Sequence, residues 1–260
     1  MTSLLRRIVC SLAIAERQIL GSHRGGAASL PIPDISHAWC HRCGATIPAS
    51  DRVQDFESIA TACRQCHGVR RARDRTTRLG VYDDQWREAI LAVKHGRDRA
   101  LARKLGTLLA VQWLRDSERS TGLLLDAIVV PVPMPFARRV ERGINHASEI
   151  ATAVSKRLGC PLLRCLEHAP GPTQAQLTRE SRRSRPKRIH LRERGMPDLS
   201  SARLVFLVDD VLTTGSTADQ SCNALRGAMG WVRIEMLVVA VTELSKTAMN
   251  QAKKCQFRTD

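Results

Sequence analysis

Residues 204–217 read Leu-Val-Phe-Leu-Val-Asp-Asp-Val-Leu-Thr-Thr-Gly-Ser-Thr, and this segment is the most informative part of the chain. Its five leading apolar residues predict a strand that is buried in an α/β sheet. Two adjacent acids, Asp209 and Asp210, stand where that strand is expected to end. A short hydroxyl-rich turn follows, and residues 218–229 have the pattern of a helix. Ligands of open α/β sheets bind beyond the carboxyl ends of strands, so this junction is the first candidate for a binding site.

The turn after the acids has the composition of a phosphate site. A helix start offers N–H groups to an anion, and Gly215 lets the backbone close around it. Further hydroxyl donors come from Thr213, Thr214, Ser216 and Thr217. The alternative is an ordinary strand–turn–helix in which Asp and Thr are turn and capping residues. The complete pattern favours a sugar phosphate, with its hydroxyls or a bound cation at the acids and its phosphate in the turn.

This segment resembles the phosphoribosyl-pyrophosphate (PRPP) motif of type I phosphoribosyltransferases. The resemblance implies that Asp209 and Asp210, the candidate catalytic residues, hold the ribose hydroxyls, and that residues 213–217 bind the 5-phosphate. Related enzymes use Mg2+ to bridge the pyrophosphate and the sugar. That role agrees with the preference of Mg2+ for one or two carboxylates together with substrate phosphates.

Four of the nine cysteines form two C-x-x-C pairs, Cys40 with Cys43 and Cys63 with Cys66. Each pair places two thiolates on one turn, so the two pairs predict a tetrahedral zinc site. A redox pair or a chance arrangement is the alternative. Four thiolates leave no open coordination position, so the predicted zinc is structural, and a small module needs such support. The other cysteines show no paired spacing and are expected to be reduced thiols in the cytoplasm.

The charge of the chain favours a polyanionic partner. With 41 basic and 25 acidic residues the net charge is +16, which points to nucleic acid or anionic lipid. Four Phe, four Trp and one Tyr are too few for a platform that stacks bases, so nucleic-acid contact is expected to be electrostatic and sensitive to salt. No stretch approaches the roughly 20 apolar residues of a membrane span, and neither an integral membrane segment nor a signal peptide is predicted.

A second anion-binding element is expected after the strand predicted at residues 123–130. Prolines at positions 131, 133 and 135 cannot continue a central strand, so the chain should leave the sheet there as a stiff loop. That loop leads to Arg138 and Arg142, whose guanidinium groups suit phosphate. Lys94, near the end of a helix predicted over residues 84–94, is a further candidate for the same anion.

In their order along the chain, these motifs resemble the ComF family of phosphoribosyltransferase-like proteins, which is tied to competence for DNA uptake. The motifs are the cysteine pairs, Tyr82, Lys94-x-Gly96, Pro131-Val-Pro133, Arg138, Arg142-Gly143-x-Asn145, Thr173-Gln174, Leu177, Arg182 and Asp209-Asp210. The resemblance covers about residues 38–241. It implies a zinc ribbon, a PRPP-type site and an intracellular role in handling single-stranded DNA, with Arg138, Arg142 and Lys94 on the pyrophosphate side.

Two segments depart from the family pattern. In the segment that follows Gln174, Arg185 occupies a position where the family has asparagine, and residues 187–189 replace a small residue and an aromatic one. Ile144 also stands where the family has an aromatic residue. Bases stack on and hydrogen-bond with such residues, so these departures leave the family's substrate preference open for this chain.

Five regions are predicted from the sequence. They are an N-terminal amphipathic helix and linker (1–36), a zinc-ribbon module (37–70), a basic linker (71–82), a phosphoribosyltransferase-like domain (83–245) and a C-terminal tail (246–260). The N-terminal helix is expected to pack on the domain, with membrane-surface contact as the alternative. The arginine-rich residues 69–78 are interpreted either as a solvated linker or as a positive strip facing nucleic acid.

Residues 179–194 carry eight basic and two acidic side chains. They are interpreted either as a mobile solvated loop or as a clamp on a nucleic-acid backbone formed by Arg182, Arg183 and Arg185.

The predicted fold is a doubly wound, parallel α/β sheet of the type I phosphoribosyltransferase kind with a small zinc ribbon. The first functional hypothesis is a cytoplasmic PRPP-binding factor in the uptake of single-stranded DNA, with other DNA-uptake proteins as partners. The second is an active phosphoribosyltransferase that salvages a nucleobase released from degraded DNA. The third is a DNA-binding zinc protein whose core is only a scaffold.

Overall fold

The structure, a computed structural model, describes residues 30–31, 33, 39–47, 63, 66, 71–116, 121–169, 189–192, 199 and 201–243. The strands in this part of the chain are β1 (Arg75–Val81), β2 (Ala127–Pro131), β3 (Leu166–His168), β4 (Ile189–Leu191), β5 (Leu204–Leu212) and β6 (Arg233–Val241). The helices are α1 (Asp84–Gly96), α2 (Arg99–Asp116), α3 (Phe136–Arg142), α4 (His146–Leu158) and α5 (Ser216–Met229), with a 3-10 helix at Thr121–Asp126.

Four strands form a parallel sheet in the order β1-β6-β5-β2. The central strands are almost continuously apolar because helices or loops cover both of their faces. Successive residues of β5 point to opposite sides: Phe206 joins one core cluster and Leu207 the other. Strands β3 and β4 form a separate antiparallel ribbon.

The two sides of the sheet are covered by different elements. Helices α1, α2 and α4 pack on one face, where Trp113 of α2 meets Phe206 edge-to-face with ring centroids 4.8 Å apart. Helix α5 and the β3–β4 ribbon pack on the other face through Cys222, Leu225 and Ile189. This arrangement confirms the predicted α/β fold class with a parallel sheet.

The connections that follow the neighbouring strands β2 and β5 cross opposite faces of the sheet. After β2 the chain crosses over through α4 and returns at Leu162, which bridges Val129 in parallel on the outer side of β2. After β5 it crosses over through α5 on the other face and returns as β6. The carboxyl ends of β2 and β5 therefore flank a topological switch point, where open α/β sheets form their binding crevice.

Strand β1 corrects the domain boundaries predicted from the sequence. Residues 71–82 are predicted as a basic linker, but Arg75–Val81 is a sheet strand that pairs with β6. Two arginines of the predicted linker are turned toward the protein: Arg78 in β1 and Arg73 just before it are buried. Neither a solvated linker nor a positive strip facing nucleic acid describes them. The remaining boundaries stay predictions, and residues 1–29 and 244–260 lie outside the described residues.

Other elements differ from the prediction in their limits. The segment predicted as a strand over residues 123–130 begins as a 3-10 helix, and β2 itself starts at Ala127. Strand β5 continues beyond the two acids to Leu212 because β6 still pairs with it there. Residues 136–142, where no helix is predicted, form helix α3, which starts after Pro135 and ends before Gly143 with φ +69°. Proline before a helix and glycine after it are typical helix boundaries.

Candidate functional site

The two acids lie at the switch point, and this site is here called the acid crevice. Pro131, the last residue of β2, pairs with Val208, so Asp209 and Asp210 extend beyond the end of the neighbouring strand. The Asp210 amide donates to the Asp209 carboxylate at 2.9 Å, and the Val211 amide donates to Asp210 Oδ1 at 2.7 Å. These short local bonds fix the carboxylates against the backbone and leave oxygen lone pairs for a ligand.

Burial and the neighbouring Asp210 raise the pKa of Asp209 well above its ordinary value. Two close carboxylates in a partly dry site repel each other, so ionising both is unfavourable. Lys94 opposes this effect: its Nζ lies 2.9 Å from Asp210 Oδ2. Hydroxyl donors or a cation would stabilise the ionised pair, and a strongly perturbed acid at a crevice is typical of a functional site.

Lys94 reaches the crevice from the last turn of α1, after which Arg97 takes the left-handed conformation with φ +53°. Its ammonium group and the Asp210 carboxylate are both mostly buried. The sequence places Lys94 on the pyrophosphate side of a ligand. In the structure it is the ion-pair partner of Asp210, so it lies at the boundary between the acids and any phosphate bound beside them.

His146 is a site residue that the sequence reasoning missed. It is buried at the start of α4, and its Nε2 lies 2.9 Å from Nη1 of Arg142. Arginine only donates, so Nε2 accepts and the proton is on Nδ1, which has no hydrogen-bond partner among the described residues. Burial lowers the pKa of His146 to about 4; nearby Asp210 opposes this, whereas Arg142 and Lys94 add to it. The imidazole is therefore neutral at physiological pH.

The only sequence signal for His146 is its place four residues after Arg142, which puts the two side chains near each other when the chain turns at Gly143. The two arginines predicted on the pyrophosphate side are not equivalent. Arg142 is partly buried against His146, whereas Arg138 is exposed on α3. The structure thus brings Arg142, Lys94 and Asp210 around one imidazole and leaves Arg138 at the surface.

Residues 213–217, here called the hydroxyl turn, connect β5 to α5. Gly215 is buried with φ +81°, a left-handed conformation that favours glycine, and Thr213, Thr214 and Thr217 are exposed. The Ser216 amide makes a long 3.4 Å contact with Thr214 Oγ1, and no side chain caps α5 at Gly215. The first N–H groups of a helix and exposed hydroxyls are donors of the kind that anions bind in proteins.

A cleft of about 210 Å³ lies between the end of β2 and the β3–β4 ribbon. Basic side chains dominate its polar lining: Arg139, Arg164, Arg192 and His168. Arg164 donates to Ser148 Oγ at 2.7 Å, and the guanidinium of Arg139 lies 5.1 Å from the ring centroid of the exposed Phe136. This cleft, here called the ribbon cleft, was not predicted from the sequence.

The predicted nucleic-acid contacts lie outside the described residues. Arg182, Arg183 and Arg185 belong to the segment that connects β3 to β4. His168 and Ile189, which flank this segment, pair with each other at the tip of the ribbon, and His168 also lines the ribbon cleft. Of the described residues that flank the segment, His168 therefore lies at the cleft, and the role of the segment as a clamp stays a prediction.

The four cysteines of the C-x-x-C pairs meet as predicted. The Sγ atoms of Cys40, Cys43, Cys63 and Cys66 all lie within 4.8 Å of one another, with Cys43 and Cys63 at 3.6 Å. Sulfurs around tetrahedral zinc are separated by about 3.8 Å, since each Zn–S bond is about 2.3 Å. A disulfide would require about 2.05 Å. The donor set therefore fits a structural zinc ion, with all four positions supplied by protein.

The cysteine module, residues 39–47 with Cys63 and Cys66, is docked on strand β1. Arg78 is fully buried and donates to the Gly44 carbonyl at 2.6 Å and to Thr46 Oγ1 at 2.9 Å. Its guanidinium also lies 5.7 Å from the ring centroid of Trp39. The module thus covers an edge strand of the sheet, which would otherwise expose unpaired backbone groups.

The chain is similar to proteins named for competence and DNA utilization. It is 27% identical over 195 residues to competence protein F of Haemophilus influenzae, covering 74% of this chain and 80% of that protein. It is 30% identical over 137 residues to the DNA utilization protein YhgH of Escherichia coli K12, covering 52% of this chain and 59% of that protein. No family model matches the chain. The two relatives confirm the resemblance to the ComF family.

Among solved structures, TT1426 from Thermus thermophilus is similar over 61% of this chain and 79% of its own, with 19% identity and a TM-score of 0.31. The α/β fold is shown instead by this chain's own parallel sheet. In the part of the chain that the structure describes, no helix has both the length and the apolar composition needed to cross a bilayer.

Proposed function

We propose that the chain binds PRPP in the acid crevice and acts in the uptake and handling of single-stranded DNA in the cytoplasm. One observation carries the proposal. The paired carboxylates of Asp209 and Asp210 and the hydroxyl turn lie one after the other at the carboxyl edge of the sheet. Ribose hydroxyls would bind the acids, and the 5-phosphate would bind the turn and the start of α5.

The pyrophosphate group would lie toward Arg142, Lys94 and the exposed Arg138. Arginine and lysine neutralise phosphate charge, and Arg142 is already oriented by His146. The acids also fit Mg2+, which binds proteins through one or two carboxylates and the phosphates of its ligand. Mg2+ would neutralise charge on the pyrophosphate, while the residues of the chain hold the sugar and orient the phosphates.

The role in DNA handling is supported by two independent features. The relatives are named for competence and DNA utilization. The net charge of +16 favours a polyanion, and His168, which precedes the segment with Arg182, Arg183 and Arg185, lines the arginine-rich ribbon cleft. In this proposal single-stranded DNA contacts that segment, and other DNA-uptake proteins are partners.

Isothermal titration calorimetry with PRPP and Mg2+ tests the site. Wild type is expected to bind, and the double variant Asp209→Asn/Asp210→Asn is expected to lose the heat signal. A wild-type protein that gives no heat would contradict PRPP binding.

The test for DNA is the salt dependence of binding to a single-stranded oligonucleotide. The triple variant of Arg182, Arg183 and Arg185 to Gln should bind more weakly and with a shallower salt slope. Equal slopes would contradict the clamp.

An active phosphoribosyltransferase in nucleobase salvage is the second candidate. It is favoured by the ribbon cleft, which reaches Pro131 at the end of β2, opposite Val208 of the strand that carries the acids, and has room for a small planar group beside Asn145 and Arg139. Transfer would join the base to the ribose and release pyrophosphate. A screen of free bases with PRPP and Mg2+ that detects pyrophosphate separates the two candidates. Release with one base supports the enzyme; PRPP binding without release supports a binding factor.

A further inference from the structure

Arg73 is a buried cation directly beneath the hydroxyl turn. Its side chain is 2% exposed, and Nη1 donates to Asp219 Oδ1 of α5 at 2.8 Å. A Cβ atom added to Gly215 would lie 3.1 Å from the same Nη1, which shows how closely the guanidinium approaches the turn. Arginine is rarely buried so completely, so its position requires an explanation.

The other side of Arg73 is held by the cysteine module. Its Nε donates to Thr76 Oγ1 at 3.1 Å, and Thr76 Oγ1 donates to the Arg42 carbonyl at 2.9 Å. Arg42 lies between Cys40 and Cys43, on the turn that the metal would close. Because a hydroxyl both accepts and donates, these bonds form one continuous path from the cysteine turn to the first turn of α5.

We propose that Arg73 is a positioning residue through which the cysteine module sets the conformation and potential of the hydroxyl turn. The inference rests on the proposed function for the identity of the ligand, PRPP. Arg73 and Arg71, whose Nη1 lies 4.0 Å from Asp219 Oδ2, together outweigh the single negative charge of Asp219 at a helix N-terminus that no side chain caps. Arg73 also holds the side chain of Asp219, and the Asp219 backbone amide donates to the Gly215 carbonyl of the turn at 2.8 Å. A module without metal would loosen Thr76, Arg73 and then the turn.

Arg226 provides a matched control. It makes an ion pair of similar length between α5 and the same segment, with Nη2 at 2.7 Å from Asp74 Oδ2. It stands near the end of α5, ten residues after Ser216, which begins the helix. Loss of Arg226 therefore weakens the packing of α5 without disturbing the hydroxyl turn.

The experiment uses the full-length zinc-loaded protein and the variants Arg73→Lys, Thr76→Val and Arg226→Gln. Arg73→Lys keeps the positive charge but loses the planar guanidinium that bonds both Asp219 and Thr76. Thr76→Val keeps the shape of the side chain but removes the hydroxyl that links Arg73 to the Arg42 carbonyl. Calorimetry should show PRPP affinity at least about tenfold weaker in Arg73→Lys, roughly threefold weaker in Thr76→Val and within about twofold in Arg226→Gln. Similar losses in Arg73→Lys and Arg226→Gln would overturn the proposal, since a general loosening of α5 would then explain both.

Hydrogen exchange without ligand gives a second readout. Amides of residues 213–219 should exchange faster in Arg73→Lys and after zinc is removed from wild type with a chelator, but not in Arg226→Gln. Unchanged exchange in both cases would overturn the coupling even if PRPP binds. If wild type does not bind PRPP, the proposed function fails. Faster exchange in those two samples alone would still support the link between the module and the turn.

Discussion

The cysteine module and the acid crevice are both built from clustered polar side chains, but they differ in what satisfies them. In the module four sulfurs face one another within 4.8 Å, and Cys40 and Cys66 are fully buried. In the crevice Asp209 and Asp210 are mostly covered but not fully buried, and three threonine side chains of the adjoining turn are exposed. The sulfur cluster is closed around one centre, whereas the acid crevice and its turn keep hydroxyl groups exposed to solvent.

This difference separates a structural role from a ligand-binding role. A closed tetrahedral set has no position for a substrate, so its metal stabilises the fold. An open set that includes an acid with a raised pKa carries unfavourable free energy until a ligand binds, which is typical of functional sites. Substitutions in the module should therefore affect mainly stability, and substitutions in the crevice mainly binding.

The largest effect is expected in the module. Replacement of the buried Cys66 by Ser should abolish zinc binding and lower the free energy of unfolding by about 4 kcal/mol, because the module and its contacts on β1 depend on the metal. Zinc content and thermal unfolding measure this. The matched control is Cys165→Ser, which changes another buried cysteine outside the module and should retain zinc. Full zinc occupancy in Cys66→Ser would contradict a four-cysteine site.

In the acid crevice, Asp210→Asn should weaken PRPP binding by roughly a hundredfold, or about 3 kcal/mol, because the ligand loses a charged acceptor and Lys94 loses its ion-pair partner. Stability should change little by comparison. Calorimetry measures the affinity. The exposed acid Asp84 at the start of α1 serves as control, and Asp84→Asn should bind as wild type does. Equal affinity of the two variants would count against the crevice.

A smaller effect is expected at the hydroxyl turn. Gly215→Ala places a side chain on a backbone with φ +81° and close to Arg73, so it should cost about 1–2 kcal/mol of stability and weaken PRPP binding. Gly227 lies within α5, and a Cβ atom added there meets no atom within 4 Å, so Gly227→Ala should stabilise the protein by up to about 1 kcal/mol. Thermal unfolding and calorimetry of both variants check this. A tolerated alanine at 215 would show that the turn does not need its left-handed residue.

The smallest effect is expected at Asp209, where a substitution should raise the stability of the fold instead of lowering it. Because burial and Asp210 raise the pKa of Asp209, the folded chain holds that proton more tightly than the unfolded chain does. Ionisation of Asp209 therefore opposes folding above its folded pKa, and this destabilisation disappears as the pH falls toward the unfolded value. Asp209→Asn should raise Tm at neutral pH while weakening PRPP binding. Thermal unfolding between pH 8 and pH 4 should show the gain shrinking in acid; a gain that does not vary with pH would contradict the assignment.

The motifs that sequence reasoning predicted correctly are local in the chain. The two C-x-x-C pairs each form one turn, and the acids precede the hydroxyl turn by only a few residues, so spacing alone indicates their proximity. The apolar run of β5 likewise predicts a buried strand because a central parallel strand is covered on both faces. For these elements, local pattern and final structure agree.

The residues that were missed depend on packing between distant segments. Strand β1 contains Arg75 and Arg78 and has no apolar alternation, because the cysteine module, rather than solvent, covers its polar side chains. Arg73 meets Asp219 across 146 residues of chain, so no spacing rule indicates the pair. His146 is buried at a helix start, where polar residues are common. These positions are determined by the assembled fold.

A crystal structure of the full-length protein with PRPP and Mg2+ would test the proposed binding mode atom by atom. The ribose hydroxyls should lie within hydrogen-bonding distance of Asp209 and Asp210, with the 5-phosphate on the amides and hydroxyls of residues 213–217. A structure at the same ligand concentration with the crevice empty, or with the ligand bound at another surface, would contradict the account.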